Sequence, residues 1–342
     1  MNKETALKKS KLGSNYAIFA GSNSAEFAAR MADYLDTRVS KSTSHRFSDG
    51  NSFVRADETV RDKDIILVQR IGNSPDSDFV EILFWLDAFK RASAKTVSVI
   101  IPYFSYAKAD KKDEPRVSIR ARVCAECMEL AGADNFMIMD LHSAQVQGFF
   151  KKPMDNVMPT ALLCEAVNRL GWNENLVTVA TDAGGAKRAR KFSAILKTSL
   201  ALGDKTREGN DETNKIMSIT GDVEGKNCLI VDDFTTTGGT IVNVAEGLQA
   251  KGAKRIYACL SHNAISKEGA QLVENSPIEY VLSTDSITNG NQGDSKKYLN
   301  ISVAPLFAES LLHDYKHQSV SELFTKVPKR LADAALKDLK LR

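Results

Sequence analysis

Much of what the 342-residue chain lacks narrows what it can be. No apolar run approaches the length of a membrane span. The lysine-bearing start (Lys3, Lys8, Lys9, Lys11) has no apolar centre of the kind a signal peptide carries, so a soluble, cytoplasmic protein is expected. An excess of one charge is also missing. Forty-six basic side chains against 43 acidic ones leave +3, too little to imply a nucleic-acid partner. Cysteine is scarce, with five in all, which excludes a disulfide framework. Cys124 and Cys127 form a single C-x-x-C with no second pair to complete a zinc site. They fall in a helical pattern over residues 118–130, where Ile119, Val123, Cys127 and Leu130 would share one inward face. A Walker A loop is absent as well: residues 221–226 (GDVEGK) have one residue too few between their glycines, which excludes the usual NTPase phosphate loop.

What is present centres on residues 228–240, CLIVDDFTTTGGT. The apolar run Cys228, Leu229, Ile230, Val231 suits a central parallel strand covered on both faces, and open parallel sheets bind ligands at strand carboxyl ends. Asp232 and Asp233 would sit at that end. Thr235, Thr236, Thr237, Gly238, Gly239 and Thr240 follow, then a helical pattern over residues 241–250 closed by Gly252. Such a turn delivers backbone N–H groups to an anion, since glycine lets the backbone approach closely and a helix start favours negative charge by roughly 0.3–1 kcal/mol. Two adjacent carboxylates brought within about 4 Å would repel by about 4 kcal/mol at an effective dielectric of 20, which hydroxyl donors of a sugar diol or a metal would relieve.

The rest of the chain alternates strands and helices, implying a parallel sheet in each half and, at this length, two domains. Strands are expected at residues 16–21, 64–69, 96–101, 136–141, 177–180, 255–261 and 279–283, and a strand-helix pair at 298–313. A helix is expected to open on the capping pair Asp78 and Glu81 and to turn Ile82, Leu83, Leu86 and Phe89 inward. A sparse echo at an offset of 120 (Gly132 with Gly252, His142 with His262) hints at a duplicated unit.

Other residues are candidates for chemistry. Residues 182–185 (Asp182, Ala183, Gly184, Gly185) put an acid before glycines at a strand end, a turn that could cradle a second phosphate while its acid serves Mg2+. His142 also ends a strand. Residues 202–214, glycine-containing and nearly without apolar anchors, read as a mobile loop. Its Lys205 and Arg207 are either solvated charges or groups that close over an anionic transition state.

Seven segments, FSDG, DAFKRASAK, IPYFSYAKADKK, AGADNFMIMDLHSAQVQGFF, TDAGGAKRAR, IVDDFTTTGGT and ISVAPLFAESL, occur in the order seen in the ribose-phosphate pyrophosphokinase (phosphoribosyl pyrophosphate synthetase) family, across roughly residues 16–324. The resemblance implies an α/β fold of two tandem phosphoribosyltransferase-like (type I) domains, each a mostly parallel sheet flanked by helices. Their expected extents are residues 15–160 on the nucleotide side and 161–324 on the ribose 5-phosphate side, between a basic tail (1–14) and a C-terminal tail (325–342). It implies Mg2+-dependent transfer of pyrophosphate from ATP to the 1-hydroxyl of ribose 5-phosphate, releasing AMP. By motif, His142 and Asp182 would serve the metal. Residues 182–185 would hold the transferred pyrophosphate, and Asp232, Asp233, Thr236, Thr237, Gly238, Gly239 and Thr240 the ribose 5-phosphate. Phe47, Asp49, Asn51, Lys108, Lys111, Lys112 and His142 would line the ATP site, and Lys205 and Arg207 would be the closing-loop charges. The family's usual assembly implies a dimer-based homo-oligomer, a hexamer among the options, with no nucleic-acid or membrane partner.

The chain departs from the family pattern where FSDGE becomes FSDGN at Asn51 and YARQDRK becomes YAKADKK at Lys108, Ala109 and Lys111. Lysine lacks the planar fork of arginine, so nucleotide contacts and donor preference are where this chain would differ. Two other readings stay open: a phosphoribosyltransferase sharing the acidic turn, and a catalytically silent regulatory partner of a synthetase.

Overall fold

The computed structural model describes residues 12–13, 15–207, 215–288 and 290–339, with side chains left out for 205–207 and 215–217. Along the chain run β1 (Tyr16–Ala20), α1 (Ala25–Tyr34), β2 (Ser42–Arg46), β3 (Ser52–Ala56), β4 (Asp64–Val68), α2 (Pro75–Arg91), β5 (Thr96–Ile101), α3 (Arg120–Ala131), β6 (Asn135–Met139) and β7 (Met154–Val157). Next come α4 (Thr160–Arg169), β8 (Leu176–Ala180), α5 (Ala186–Leu196), β9 (Ser199–Arg207), β10 (Lys215–Thr220), β11 (Asn227–Thr235), α6 (Gly239–Ala250), β12 (Arg255–Asn263), α7 (Lys267–Glu274), β13 (Tyr280–Thr284), β14 (Tyr298–Ile301), α8 (Ala304–Tyr315) and α9 (Lys329–Ala335). Contacts divide the chain into two units, Met1–Val157 with Ala304–Val320, and Met158–Val303 with Ser321–Arg342.

In the first unit five parallel strands lie in the order β1-β4-β5-β6-β7, and a parallel bridge seats Val39 beside Ile18 on the other side of β1. Chain direction across the sheet therefore reverses between β1 and β4, the place where doubly wound sheets leave a crevice. Ile65, Ile66, Leu67 and Val68 are all fully buried, as a continuous apolar run in a two-sided parallel sheet requires. On one face α2 delivers Trp85 and Phe89, stacked at 5.3 Å, against Phe19 of β1. On the other, α8 packs on α1 through Phe27 and Phe307, whose rings lie 5.8 Å apart, and through the Tyr34 hydroxyl, which donates to Glu309 at 2.6 Å.

The second unit repeats the plan in a seven-stranded sheet, β10-β9-β8-β11-β12-β13-β14, in which only the β9/β10 pair is antiparallel. The reversal lies between β8 and β11. The expected α/β architecture of two mostly parallel, helix-flanked sheets is thus observed.

Several local expectations are corrected. α2 begins at Pro75, one turn before the expected capping pair, because Asp78 and Glu81 point inward: Asp78 accepts from Gly72 N at 2.9 Å and Glu81 from Ser22 N at 2.8 Å. α3 turns Ala121, Cys124, Ala125 and Met128 inward, leaving Val123 and Leu130 exposed. Here α3 packs against α2 and the short turns at Ser105–Lys108 and Ala144–Phe149. Residues 202–207 are strand, paired in register with 215–220, where a mobile loop was expected. A β-ladder satisfies backbone groups without apolar side chains, and the buried Ile219 anchors the pair. Residues 208–214 of that expectation lie outside the described residues. Within 325–342, α9 buries Leu331, Ala332 and Ala335, Leu336 just beyond it is buried too, and Ser302 N donates to Ala335 O at 3.0 Å. The offset-120 echo pairs β6 with β12, yet counting strands from the reversal makes β12 the counterpart of β5. The repeat is real in topology and the echo is not its trace.

Candidate functional site

β8 and β11 are neighbours in register, with Val231 beside Ala180, so their following loops leave the same edge of the second sheet side by side. The buried Thr181 closes the gap, its Oγ1 donating to Asp232 Oδ2 at 3.2 Å. The two acid-and-glycine turns at 182–185 and 232–240 therefore flank one crevice.

β11 continues through both acids to Thr235, so Asp232 and Asp233 point to opposite sides, as an extended chain demands. Asp233 is buried and its Oδ1 accepts from Phe234 N at 3.0 Å. Asp232 is half-buried. Burial and the neighbouring Asp233 carboxylate push its pKa up to about 7, against the pull of the Asp233 backbone N–H at 2.9 Å and the Arg188 guanidinium. A carboxyl so placed gains from hydroxyl or metal partners that water does not supply.

Beyond Thr235 the chain turns into α6. Thr235 Oγ1 accepts from Gly238 N at 3.2 Å, and Gly238 takes φ +75°, a left-handed conformation that suits glycine. The first turn of α6 then starts at Gly239, with Thr237 exposed and Thr236 and Thr240 half-exposed at its mouth. On the other loop Asp182 Oδ1 accepts from Gly185 N at 2.9 Å, shaping the turn that leads into α5. Among the described residues a side chain at Gly184 would meet only Asp182 Oδ1, 3.1 Å away.

The donor set bears on Mg2+. Among the described residues no three His, Cys, Asp or Glu gather into a metal-binding group. Asp182 is exposed at the crevice, and Mg2+ commonly binds through one or two carboxylates, substrate phosphates and water, so this site fits that mode. His142 belongs to the first unit and Asp182 to the second.

In the first unit the remaining candidates fall on three separate segments. Phe47, Asp49 and Asn51 form the β2–β3 turn: Asp49 Oδ1 accepts from Asn51 N at 2.9 Å and Phe47 N donates to Asn51 O at 2.8 Å. This turn holds Phe47 half in solvent at 50% exposure, its ring 4.6 Å from His45. An exposed aromatic held this way is a ready stacking platform for a planar base. Lys108, Lys111 and Lys112 are exposed on the segment after β5, which is anchored by the buried Tyr103, Phe104 and Ala107. Ala109 is buried, and its carbonyl accepts from Ala121 N at 3.3 Å. His142 stands exposed beyond β6, where buried Asp140 adopts φ +40° and turns the chain outward. The side chains of Lys205 and Arg207 lie outside the described residues, and their backbone belongs to β9.

Sequence reasoning missed Thr181 and Arg188, although both lie within TDAGGAKRAR. The signal was a hydroxyl one residue before the acid, and a cation one helical turn into α5.

Comparison with known proteins bears on the whole chain. A profile of the N-terminal domain of ribose phosphate pyrophosphokinase matches residues 16–132, and one of the phosphoribosyl synthetase-associated domain matches residues 209–325. The chain is 38% identical over 313 residues to ribose-phosphate pyrophosphokinase of Clostridium acetobutylicum, covering 91% of this chain and 98% of that one. It is 36% identical over 312 residues to that of Bacillus subtilis, covering 91% and 98%. The crystal structure of phosphoribosylpyrophosphate synthetase from Mycobacterium smegmatis superposes with a TM-score of 0.83 at 32% identity, covering 89% of this chain and 100% of that one.

Proposed function

The chain belongs to the ribose-phosphate pyrophosphokinase family, and on that premise we propose that it transfers the terminal pyrophosphoryl group of ATP to the 1-hydroxyl of ribose 5-phosphate. The observation that carries this reading is the Thr181–Asp232 hydrogen bond, which sets two anion-binding turns along one crevice. One turn suits the 5-phosphate, through the start of α6 and the hydroxyls of Thr236, Thr237 and Thr240. Asp232 then accepts from the ribose hydroxyls and residues 182–185 receive the pyrophosphoryl group, while Asp233, buried on the opposite side of β11, keeps its bond from Phe234 N.

In the reaction the 1-hydroxyl oxygen attacks the β-phosphorus of ATP. The bond from that phosphorus to the bridging oxygen of the α-phosphate breaks, AMP leaves with the electron pair, and the hydroxyl proton is lost to solvent. Phosphoryl-type transfer needs alignment and charge neutralisation more than covalent help, so no protein nucleophile is required. Asp182 would hold Mg2+. That ion supplies charge neutralisation to the polyphosphate when bound. Phe47 offers its exposed ring to the adenine, and Lys108, Lys111 and Lys112 offer positive charge to the phosphates. Lys205 and Arg207 are assigned the transition-state charges. A homo-oligomer working in the cytoplasm completes the reading.

Incubation with ATP, ribose 5-phosphate and Mg2+ tests it directly: AMP and phosphoribosyl diphosphate appear in equal amounts. Their absence from correctly folded protein overturns the reading and favours a silent regulatory subunit.

A further inference from the structure

The first turn of α7 lies behind the phosphate-binding turn, and its sequence makes sense only against that turn. Gly269 is the third residue of α7, with a φ outside the left-handed range, so nothing in its own backbone asks for glycine. Alanine is the better helix former, and a helix of eight residues gains most from it. The reason for glycine is in front of it. A Cβ at Gly269 would stand 2.8 Å from both the carbonyl carbon and the oxygen of Thr237, and 2.9 Å from Ile265 Cγ1. The Ile265 methylene can swing aside, but the Thr237 peptide can move only by displacing the turn itself.

Contact runs the other way too. A Cβ at Gly238 would stand 3.1 Å from Gly269 O and 3.1 Å from Val273 Cγ2. Ser266 completes the junction with two bonds: its N–H donates to Thr236 O at 2.7 Å, and its Oγ caps α7 by accepting from Gly269 N at 3.0 Å. Thr236 and Thr237 are thus held from behind by backbone, with Thr237 exposed on its other side.

The geometry points to Gly269 and Ser266 as positioning residues for ribose 5-phosphate: the α7 turn is a rigid backstop that sets where the Thr236–Thr237 peptide directs its donors. Neither residue touches the sugar phosphate. The inference rests on the proposed assignment of residues 236–240 to the 5-phosphate.

The test is a set of full-length variants, assayed by AMP formation for KM and by isothermal titration of ribose 5-phosphate for affinity. Gly269→Ala raises the KM and Kd for ribose 5-phosphate by about tenfold to a hundredfold, the size of effect that a 1 Å misplacement produces, with the KM for ATP within about twofold and the melting temperature lowered while the protein stays folded at the assay temperature. Ser266→Pro and Ser266→Ala both remove the capping oxygen, but only proline removes the N–H, and the native φ of −75° accommodates it. Ser266→Pro therefore weakens ribose 5-phosphate binding more than Ser266→Ala does. A Gly269→Ala enzyme that binds ribose 5-phosphate like wild type, or equal effects of the two Ser266 variants, overturns the backstop. Should wild type bind ribose 5-phosphate yet form no AMP, the proposed activity fails and the binding comparison still decides the positioning role.

Discussion

The two sheets share a strand order and differ in what fills their reversal points. In the first unit the loops after β1 and β4 spend polar groups on each other and on the start of α2: Glu81 takes both the N–H and the hydroxyl of Ser22 as well as Trp85 Nε1, Asp78 takes Gly72 N, and Ser24 Oγ takes Arg70 N. Gln69 lies over Gly21, fully buried. In the second unit the matching loops leave Gly184 uncovered, Thr237 exposed and Asp232 with a raised pKa. One copy supplies its own anion and closes. On the proposed assignment the other keeps the position for an anion from outside, so that a repeated fold holds one structural and one working crevice.

The comparison can be broken most sharply at Asp232. Asp232→Ala lowers kcat/KM for ribose 5-phosphate on the order of a hundredfold while the protein stays folded, measured by AMP release. A loss below threefold would remove the second crevice from the chemistry.

Glu81→Ala has the opposite character. It strands the Ser22 and Trp85 donors and lowers stability by about 3 kcal/mol in urea unfolding, with ribose 5-phosphate affinity unchanged wherever the protein remains folded. A glycine pair sharpens the contrast further. Gly21→Ala drives a methyl into Gln69, whose Oε1 would be 1.9 Å away, and costs about 1–3 kcal/mol. Gly184→Ala leaves melting within about 0.5 kcal/mol of wild type but raises the KM for ATP. Equal melting of the two variants would mean that the first crevice is not closed by packing.

A further effect is on pH. Asp232 has a folded-state pKa raised to about 7, above its unfolded value, so the folded state holds its proton more tightly. The stability this contributes is present below about pH 4 and lost as pH rises through about 7. The unliganded protein therefore melts earlier at pH 8 than at pH 5, and Asp232→Asn shrinks that difference. An unchanged difference would place the titration elsewhere.

Legibility varied by element for physical reasons. β5 was read to the residue, and β1, β4, β8 and β13 to within one residue at either end, because strands buried on both faces are continuous apolar runs. The inward set on α2 was right for Ile82, Leu86 and Phe89, yet its start was missed because Asp78 bonds back to the loop that leads into α2 and Glu81 bonds to the loop after β1. The face of α3 and the β9–β10 ladder were misread because packing on α2 and neighbouring turns through small side chains, and cross-strand pairing, leave little trace in hydrophobic periodicity.

The chain's own order of residues sufficed for the α/β class, for both acid-and-glycine turns and for the family, since each is written in a contiguous stretch. Only the folded molecule decided that Thr181 ties those turns into one crevice, that Glu81 closes its counterpart, and that Ala304–Val320 returns to the first unit. These are contacts between residues tens to hundreds of positions apart, and no local pattern encodes which distant strand ends will become neighbours.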